Sequence, residues 1–236
     1  MGRAFEYRKA AKMKRWGMMS RVFPKLGNRI TAAAKDGGSD PEMNPSLRTA
    51  IQNAKAANMP KDNILSAIKR ATSSDYKSMI EVNYEGKGPH GVLVFVECAT
   101  DNTTRTVANV KSYFNKAGGA IVPTGSLEFM FERKAIFELV KTDELDIEEL
   151  ELELIDAGLE EIEEVENQVI ITADYTAFGK LTTAIEALKL EINKSVLERF
   201  PTSPQEFNEE QMVDIDKMLD KLHNDDDVQD VFTNIG

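Results

Sequence analysis

The sequence predicts an α+β fold, with an N-terminal helical bundle followed by two α/β domains, at least one of them ferredoxin-like (βαββαβ). Three observations predict it. Apolar residues recur with a helical period as far as residue 71 and alternate afterwards. From residue 134 the predicted elements follow the ferredoxin-like order. The net charge, −11 overall, changes sign from positive to negative along the chain.

The chain is long enough for more than one domain, since 236 residues exceed a usual domain of roughly 100–150 residues. The middle segment lacks a final helix and strand, which the C-terminus can supply. We therefore expect a basic helical domain over residues 1–75, a discontinuous α/β domain over residues 76–133 plus 205–236, and an acidic ferredoxin-like domain over residues 134–204 inserted into the second.

The helical bundle is predicted most sharply by NPSLRTAIQNAKAANMPKDNILSAIKRA, residues 44–71. Asn44 can cap a first helix, and Pro45 suits its first position, where no N–H donor is needed. Pro60 restarts a second helix, because the residue before a proline is driven out of helical geometry. Each helix has one apolar face and is too short to be stable alone, so the pair must pack on further helices.

A third helix is expected before this pair, from Ser20 to a left-handed terminator at Gly37. Pro24 could shift its start to Phe23 or Pro24. Residues 1–19 carry six Lys or Arg with aromatic residues between them. This composition is typical of segments that bind single-stranded or irregular nucleic acid, since aromatic rings stack on bases and cations pair with phosphates.

The middle domain is predicted from an alternating strand with Ile80, Val82 and Tyr84, the apolar strand GVLVFVECAT, and a helix capped by Thr103 or Asn102. A strand SLEFMFE should follow, with Leu127, Phe129 and Phe131 alternating. The helix EEQMVDIDKMLDKLHN and the strand DVQDVFTNI then complete the domain from the C-terminus. The inserted domain reads as AIFELV, DIEELELELIDAG, LEEIEEVE, QVIITA, YTAFGKLTTAIEAL and INKSVLERF, in the order βαββαβ.

Charge divides the chain more strongly than its net value suggests. Residues 1–71 hold 15 Lys or Arg against 5 Asp or Glu, whereas residues 72–236 hold 14 against 35. This asymmetry is typical of a region that binds a polyanion attached to an acidic body. Residues 143–166 are interpreted as a solvated charge pattern.

Catalytic and metal-binding patterns are absent from the sequence. His90, His223 and Cys98 have no metal-ligand spacing, and the lone cysteine fits a reducing cytosol. The turn YEGKGPHG is either a plain hairpin or a phosphate-binding loop, and TDNTTRT, residues 100–106, either caps a helix or binds an anion. No apolar run reaches the roughly 20 residues of a membrane span. We therefore expect a cytoplasmic protein that is not an enzyme and needs no cofactor or metal.

Five stretches together resemble the YebC family: FEYRKAAKMKRWG, the helix pair of residues 44–71, YEGKGPHG, VECATDNTTRT and the glycine pair before TGSLEFMFERK. The chain departs from the family pattern in its GRAFEY opening, in Thr72 and in His90, where glycine is usual at the last two positions. The resemblance implies a three-domain, non-enzymatic protein. It also implies a nucleic-acid function, since family members are classed as DNA-binding transcriptional regulators or act in translation.

The function predicted is that of a ribosome- or RNA-associated translation factor, whose partner is ribosomal or transfer RNA in a ribosome. RNA is favoured because the basic region is irregular and aromatic-rich, while the acidic body is unsuited to lie along a duplex. The alternative is a DNA-binding transcriptional regulator that uses the helix pair 44–70, with residues 60–70 as the recognition helix. A third hypothesis is a protein-interaction adaptor whose acidic domains dock basic partners. No membrane or small-molecule substrate is expected.

The candidate site residues follow from these hypotheses. Phosphate contacts are predicted for Arg3, Arg8, Lys9, Lys12, Lys14, Arg15, Arg21, Lys25, Arg29, Lys61, Lys69 and Arg70, with Tyr7 and Trp16 as base-stacking residues. A second site is predicted in two loops, with Lys87, His90, Asn102, Thr103 and Arg105.

Overall fold

A computed structural model describes residues 19–73, 79–142 and 145–236, with side chains from Val22 onward. The α-helices are α1 (Met19–Gly37), α2 (Pro45–Ala56), α3 (Lys61–Arg70), α4 (Thr103–Lys116), α5 (Ile147–Ile155), α6 (Phe178–Ala187) and α7 (Glu209–His223). The strands are β1 (Ile80–Lys87), β2 (Leu93–Thr100), β3 (Ala120–Val122), β4 (Phe131–Val140), β5 (Leu159–Val165), β6 (Gln168–Asp174), β7 (Ile192–Pro201) and β8 (Val228–Thr233). The predicted α+β fold class is confirmed.

Helices α1 to α3 form because their caps and apolar faces agree. Asn44 caps α2 by accepting a hydrogen bond from Leu47 N, and Pro45 is its first residue, as predicted. Helix α1 begins at Met19, one residue before the expected start, and Pro24 lies inside it, so the alternative start at Phe23 or Pro24 does not occur. The expected terminator was wrong, because the left-handed residue after the helix is Gly38 (φ +92°) and not Gly37. Gly37 is the last residue of α1. Glycine is required there, because a Cβ atom would collide with the side-chain amide of Asn44.

The first sheet has the strand order β3-β1-β2-β8, with antiparallel neighbours. Strands β1 and β2 form a hairpin, whereas β8 joins from the C-terminus and pairs with β2. Helices α4 and α7 cover one face through an apolar cluster that includes Val110, Phe114, Leu219 and Leu222. Gly86 in β1 is required there, because a Cβ atom would overlap the ring of Phe114. The C-terminus therefore completes this sheet, as predicted.

The predicted strand SLEFMFE, residues 126–132, was wrong in its first five residues. Residues Glu128–Met130 form a 3₁₀ turn, and β4 begins only at Phe131. The buried carboxylate of Glu85 accepts hydrogen bonds from Gly125 N (2.6 Å) and Leu127 N (2.5 Å), which stabilises a turn where the alternating pattern favoured a strand. The edge strand β3, which precedes this segment, was not predicted. Phe129 is 73% exposed as a result.

The second sheet has the strand order β5-β6-β4-β7, with α5 and α6 contributing to its core. Numbered from its own first strand, this is the order 2-3-1-4 of a ferredoxin-like domain, so the predicted βαββαβ unit and its insertion are confirmed. Phe137, Leu154, Ile171 and Leu181 lie in one fully buried apolar cluster. The ring of Phe137 stacks on that of Phe178, with centroids 5.0 Å apart.

The chain divides into two compact units. Among the described residues, the first holds residues 19–25, 73, 79–132 and 200–236, and the second holds residues 26–72, 133–142 and 145–199. The finer division into domains over residues 1–75, 76–133 plus 205–236 and 134–204 stays a prediction. Among the described helices, none combines the length and hydrophobicity that crossing a membrane requires.

Candidate nucleic-acid interface

Hydrogen bonds to buried polar side chains hold the basic helices together. Asn44 is 4% exposed, and its amide nitrogen donates to the carbonyl oxygens of Ala33 (2.7 Å) and Gly38 (2.8 Å). The hydroxyl of Thr31 lies 2.8 Å from the carbonyl oxygens of both Gly27 and Ala67. Because both side chains are buried and satisfied, they fix α1 against α2 and α3. Any binding surface on this bundle is therefore preformed.

The polar side of α2 is engaged within its own unit. Arg48 forms a two-pronged ion pair with Glu186 of α6, at 2.8 and 3.0 Å, and this carboxylate raises the pKa of the Arg48 guanidinium. Asn53 exchanges two hydrogen bonds with the backbone of Ser195 in β7, at 2.7 and 2.9 Å. These polar groups of α2 are therefore occupied by α6 and β7. Spacing in the sequence gave no signal for either contact.

Helix α3 presents its three predicted cations to solvent. Lys61 lies at its first turn, and Lys69 and Arg70 lie at its last turn. All three side chains are exposed. The guanidinium of Arg70 lies over α1, so close to Gly27 that a Cβ atom there would be 2.9 Å from Nη2. The cations thus lie at the two ends of α3, about 12 Å apart along its axis.

The exposed middle of α3 offers little to read base edges. It consists of Asp62, Asn63, Leu65 and Ser66, and Leu65 is 52% exposed. Bidentate contacts to base edges in the major groove come from arginine or lysine to guanine and from asparagine or glutamine to adenine, and only Asn63 in this exposed middle is of one of these residue types. The face is better suited to phosphate contact at its ends than to sequence recognition along its length.

The remaining basic candidates divide by whether the structure describes them. Lys25 Nζ donates to the carbonyl oxygen of His223 at the end of α7, 3.2 Å away, and Arg29 is half-buried in α1. The backbone of Arg21 lies in α1. The candidates Arg3, Tyr7, Arg8, Lys9, Lys12, Lys14, Arg15 and Trp16, and the side chain of Arg21, lie outside the described residues.

The turn between β1 and β2 uses its backbone donors internally. Gly88 N donates to Val92 O (2.8 Å), Gly91 N to Gly88 O (3.3 Å) and Val92 N to Pro89 O (3.3 Å). His90 has a left-handed backbone (φ +57°), which explains why glycine suits this position, and its Nε2 lies 3.1 Å from Asp214 Oδ2. The hairpin alternative is thus favoured over a phosphate-binding nest, although Lys87 is exposed.

The loop of residues 100–106 ends in a network centred on Asp227. Asn102 caps α4 by accepting from Arg105 N (3.1 Å), which leaves Thr103 exposed at the first helical position. The Arg105 guanidinium donates to Asp227 at 2.7 to 3.1 Å and to Asp101 at 3.0 Å, and Asp227 chiefly raises its pKa. The hydroxyl of Thr106 lies 2.8 Å from Asp227 Oδ2. Capping is thus the role that this geometry favours, and Arg105 is already paired.

Sequence reasoning missed the importance of the turn before β8. Asp225 is 7% exposed and accepts hydrogen bonds from Tyr113 Oη (2.8 Å) and Asn109 Nδ2 (3.1 Å). Burial first, and then this carboxylate, raises the pKa of Tyr113 to about 12. These partners are separated by more than 110 positions, so no local pattern could have paired them. The run of three aspartates, Asp225 to Asp227, was the only signal available in the sequence.

Groups that could support catalysis are sparse in the described part of the chain. No cluster of three His, Cys, Asp or Glu residues there could hold a metal ion. Cys98 is buried, and burial raises the pKa of its thiol to about 12. Because the thiolate is the nucleophilic form of cysteine, this thiol is unreactive at neutral pH.

Comparisons with known proteins agree along the whole chain. A family model described as "TACO1/YebC protein N-terminal domain" matches residues 3–74, and one described as "TACO1/YebC second and third domain" matches residues 79–235. A protein of Sulfurimonas denitrificans named "Probable transcriptional regulatory protein" is 64% identical over 235 residues and is covered completely, as is this chain. A Helicobacter pylori protein of the same name is 59% identical over 240 residues, again with complete coverage of both chains.

A solved structure shares the fold. The crystal structure of a conserved hypothetical protein from Aquifex aeolicus superposes with a TM-score of 0.74 at 36% identity. The match covers 94% of this chain and 92% of that one. With both family models matched in sequence order and relatives near 60% identity over their full length, the chain belongs to the TACO1/YebC family.

Proposed function

We propose that this protein is a non-enzymatic regulator of gene expression that binds RNA and acts with the ribosome in translation. The division of charge carries the proposal. The first 71 residues hold a surplus of ten positive charges, 15 against 5, while the remainder holds a surplus of 21 negative charges, 35 against 14. A positive region of this size favours phosphate backbones, and the negative remainder is repelled by them.

RNA is favoured over duplex DNA by the described surface of the helix pair. The cations of α3 lie at its two ends, and its exposed middle includes Leu65 and Ser66. The side chains of Arg48 and Asn53 are engaged by Glu186 of α6 and by the backbone of Ser195 in β7, so α2 cannot offer them to a DNA backbone without losing those partners. Aromatic residues among the first 16 positions further favour irregular RNA, whose unstacked bases accept aromatic stacking.

The proposal includes the expectation from the sequence that the protein has no catalytic activity, cofactor or metal. The relatives are named as regulatory proteins, and the described residues offer no metal cluster and only a buried, protonated thiol. We accordingly propose no catalytic residue and no cofactor. We place the protein in the cytoplasm, where translating ribosomes are found.

A second candidate function is DNA-binding transcriptional regulation through the helix pair of residues 44–70. The relatives' name, "Probable transcriptional regulatory protein", favours it. In that case Lys61, Lys69 and Arg70 would contact the phosphates of a duplex, and binding would show a sequence preference.

Salt-dependent co-sedimentation distinguishes the two functions. The purified full chain is titrated against ribosomes and, separately, against a long random DNA duplex, at increasing salt. We expect ribosome binding to persist at salt concentrations that abolish duplex binding, since screening removes nonspecific phosphate contacts first. The opposite order, with a preferred DNA sequence, would overturn the RNA proposal in favour of the second candidate.

Charge reversal locates the RNA-binding region. Replacing Lys12, Lys14 and Arg15 by Glu should weaken binding to ribosomal RNA and reduce the slope of log affinity against log salt by about 2, at roughly 0.7 per lost contact with single-stranded RNA. The matched control reverses Lys111, Lys180 and Lys221, three exposed cations outside the basic region. Equal effects of the two triple variants would show a general charge effect and refute a dedicated binding region.

A further inference from the structure

Helix α5 has an apolar face that no described residue covers. Leu152 is 73% exposed and Ile155 is 52% exposed, and they lie three positions apart, on adjacent turns of the same side. The helix does not need this face for its own domain, because Leu150 and Leu154 already bury the opposite side in the apolar core. Two large side chains are thus left in water beside each other, and we call this pair the α5 ridge.

Carboxylates surround the α5 ridge. Between Lys141 and Lys180 the chain contains 14 Asp or Glu and no Lys or Arg. On a helical projection, Glu148 lies between Leu152 and Ile155, while Glu151 and Asp156 flank them. No hydrogen bond or ion pair within the described residues engages the carboxylates of Glu148, Glu151 or Asp156. An apolar strip within unpaired negative charge is complementary to a strip of apolar and positive side chains.

The position of these charges is unfavourable for the isolated helix. The C-terminal end of a helix carries a partial negative charge, which basic residues stabilise. The last turn of α5 has no basic residue, and Glu151, Glu153 and Asp156 crowd that end. The Asp146 cap and the first-turn residues Glu148 and Glu149 have a local explanation at the positive end, but the C-terminal carboxylates have none.

We propose that the α5 ridge is a docking surface for a Lys/Arg-rich segment of a partner protein that also carries apolar side chains. The apolar side chains would cover Leu152 and Ile155, and the cations would neutralise Glu151 and Asp156. Nucleic acid does not fit this surface, because the phosphates would meet carboxylates. A ridge-to-ridge contact with a second copy of the chain does not fit either, because two such surfaces would place like charges together.

This surface complements the proposed function without depending on it. A ribonucleoprotein presents both negatively charged RNA and positively charged protein. The basic N-terminal region suits the former and the α5 ridge suits the latter. Only this pairing of the two binding modes rests on the proposed function, and the two modes can be tested separately on the full chain.

The test uses a fluorescently labelled amphipathic helical peptide of lysine and leucine, and a second peptide in which serine replaces every leucine. The ridge variant is Leu152→Ser with Ile155→Ser. Its matched control is Met43→Ser with Val213→Ser, which removes two exposed apolar side chains elsewhere. We expect the ridge variant to bind the lysine–leucine peptide about tenfold more weakly, and the control to bind it as the wild type does. The lysine–serine peptide should bind wild type and ridge variant equally.

A charge variant separates binding from folding. Glu151→Gln with Asp156→Asn should weaken peptide binding while leaving the melting temperature unchanged or higher, since it removes negative charge from the C-terminal end of α5. Its control, Glu206→Gln with Asp226→Asn, neutralises two exposed carboxylates elsewhere and should leave peptide binding unchanged.

Three results would overturn the docking surface: a ridge variant that binds the lysine–leucine peptide within twofold of wild type, controls that lose as much affinity as their matched variants, or a wild-type dimer that the ridge variant dissociates. Affinity for protein-free ribosomal RNA is measured in parallel and should not change in the ridge variant. If the wild type does not bind ribosomal RNA, the proposed function is refuted, whereas the peptide result still stands.

Discussion

The two sheets have the same number of strands but are assembled from different segments of the chain: one from consecutive strands, the other with a distant C-terminal strand. In the second sheet, strands β4 to β7 follow one another between residues 131 and 201, and the core beneath the helices is apolar. In the first sheet, β8 pairs with β2, although more than 120 residues separate them. The turn before β8 is tied to α4 by two buried carboxylates, Asp225 and Asp227.

This difference shows how a strand that is distant in the sequence, β8, is positioned in its sheet. Hydrophobic burial is non-directional, so an apolar pattern suffices where short connections already specify which strands meet. A long connection costs more entropy to close and leaves register less constrained. Directional hydrogen bonds from Arg105, Thr106 and Tyr113 to the carboxylates give β8 one favoured position, beside the bulge that lies between Glu97 and Cys98.

The largest effect should come from emptying the apolar core of the second sheet. Phe137→Ala removes a fully buried ring that stacks on Phe178, and the loss of burial plus the cavity should lower the free energy of unfolding by about 4 kcal/mol. The matched control is Phe129→Ala, at a side chain 73% exposed, which should cost less than about 0.5 kcal/mol. Urea denaturation measures the two values.

Hydrogen exchange, followed peptide by peptide, shows where Phe137→Ala acts. Peptides from strands β4 to β7 should lose protection, while peptides from β1 and β2 keep theirs. Equal loss in both sheets would mean that the sheets unfold as one cooperative unit, and the comparison between them would fail.

The next effect should come from the polar junction of the first sheet. Asp227→Asn removes the negative charge of a side chain that is 5% exposed and replaces one of the two oxygens that accept from Arg105 and Thr106 by an N–H donor. We expect a loss of about 2–3 kcal/mol, the range for hydrogen bonds to a charged group. The neighbouring change Asp226→Asn, at an exposed side chain, is the control and should be nearly neutral. If both variants unfold at the same urea concentration as wild type, β8 is held by apolar contacts alone.

The smallest effect is a pH dependence confined to the first sheet. The pKa of Tyr113 rises from 10.0 to about 12 in the folded protein, so the folded state favours the neutral phenol. Its stabilisation is complete below pH 10 and is lost as the pH rises toward 12. Tyr113→Phe should therefore be less stable than wild type at pH 8, by about 1 kcal/mol for the lost hydrogen bond, and the difference should shrink above pH 10.

Urea midpoints measured across this pH range test the prediction for Tyr113. The pKa of Cys98 is also raised to about 12, so both proteins lose stability at high pH, and only their difference reports on Tyr113. A difference that stays constant or grows above pH 10 would contradict the assigned role of the Asp225 hydrogen bond.

Much of the fold could be predicted from local patterns, whereas the candidate site could be predicted only as residue types. Asn44 and Pro45 mark a helix start by their own chemistry, and the prediction was confirmed. Arg105 stays a predicted second-site residue, although the structure pairs it with Asp227. The sequence could not show this pairing, because an arginine at a helix start looks the same whether its partner is a distant carboxylate or a phosphate.

The sequence by itself determined most of the elements, their order and the polarity of charge, because caps, periodicity and composition act over a few residues and need no partner. These features already indicate the βαββαβ unit, the basic helix pair and family membership. The tertiary structure alone decided which distant groups meet. The carboxylate of Glu85 binds the turn before Glu128–Met130, which therefore do not continue as a strand. Asn53 forms hydrogen bonds with the backbone of Ser195. Leu150 and Leu154 are buried in the apolar core, whereas the α5 ridge stays exposed. Such contacts depend on chain closure over tens to hundreds of residues, which no local pattern encodes.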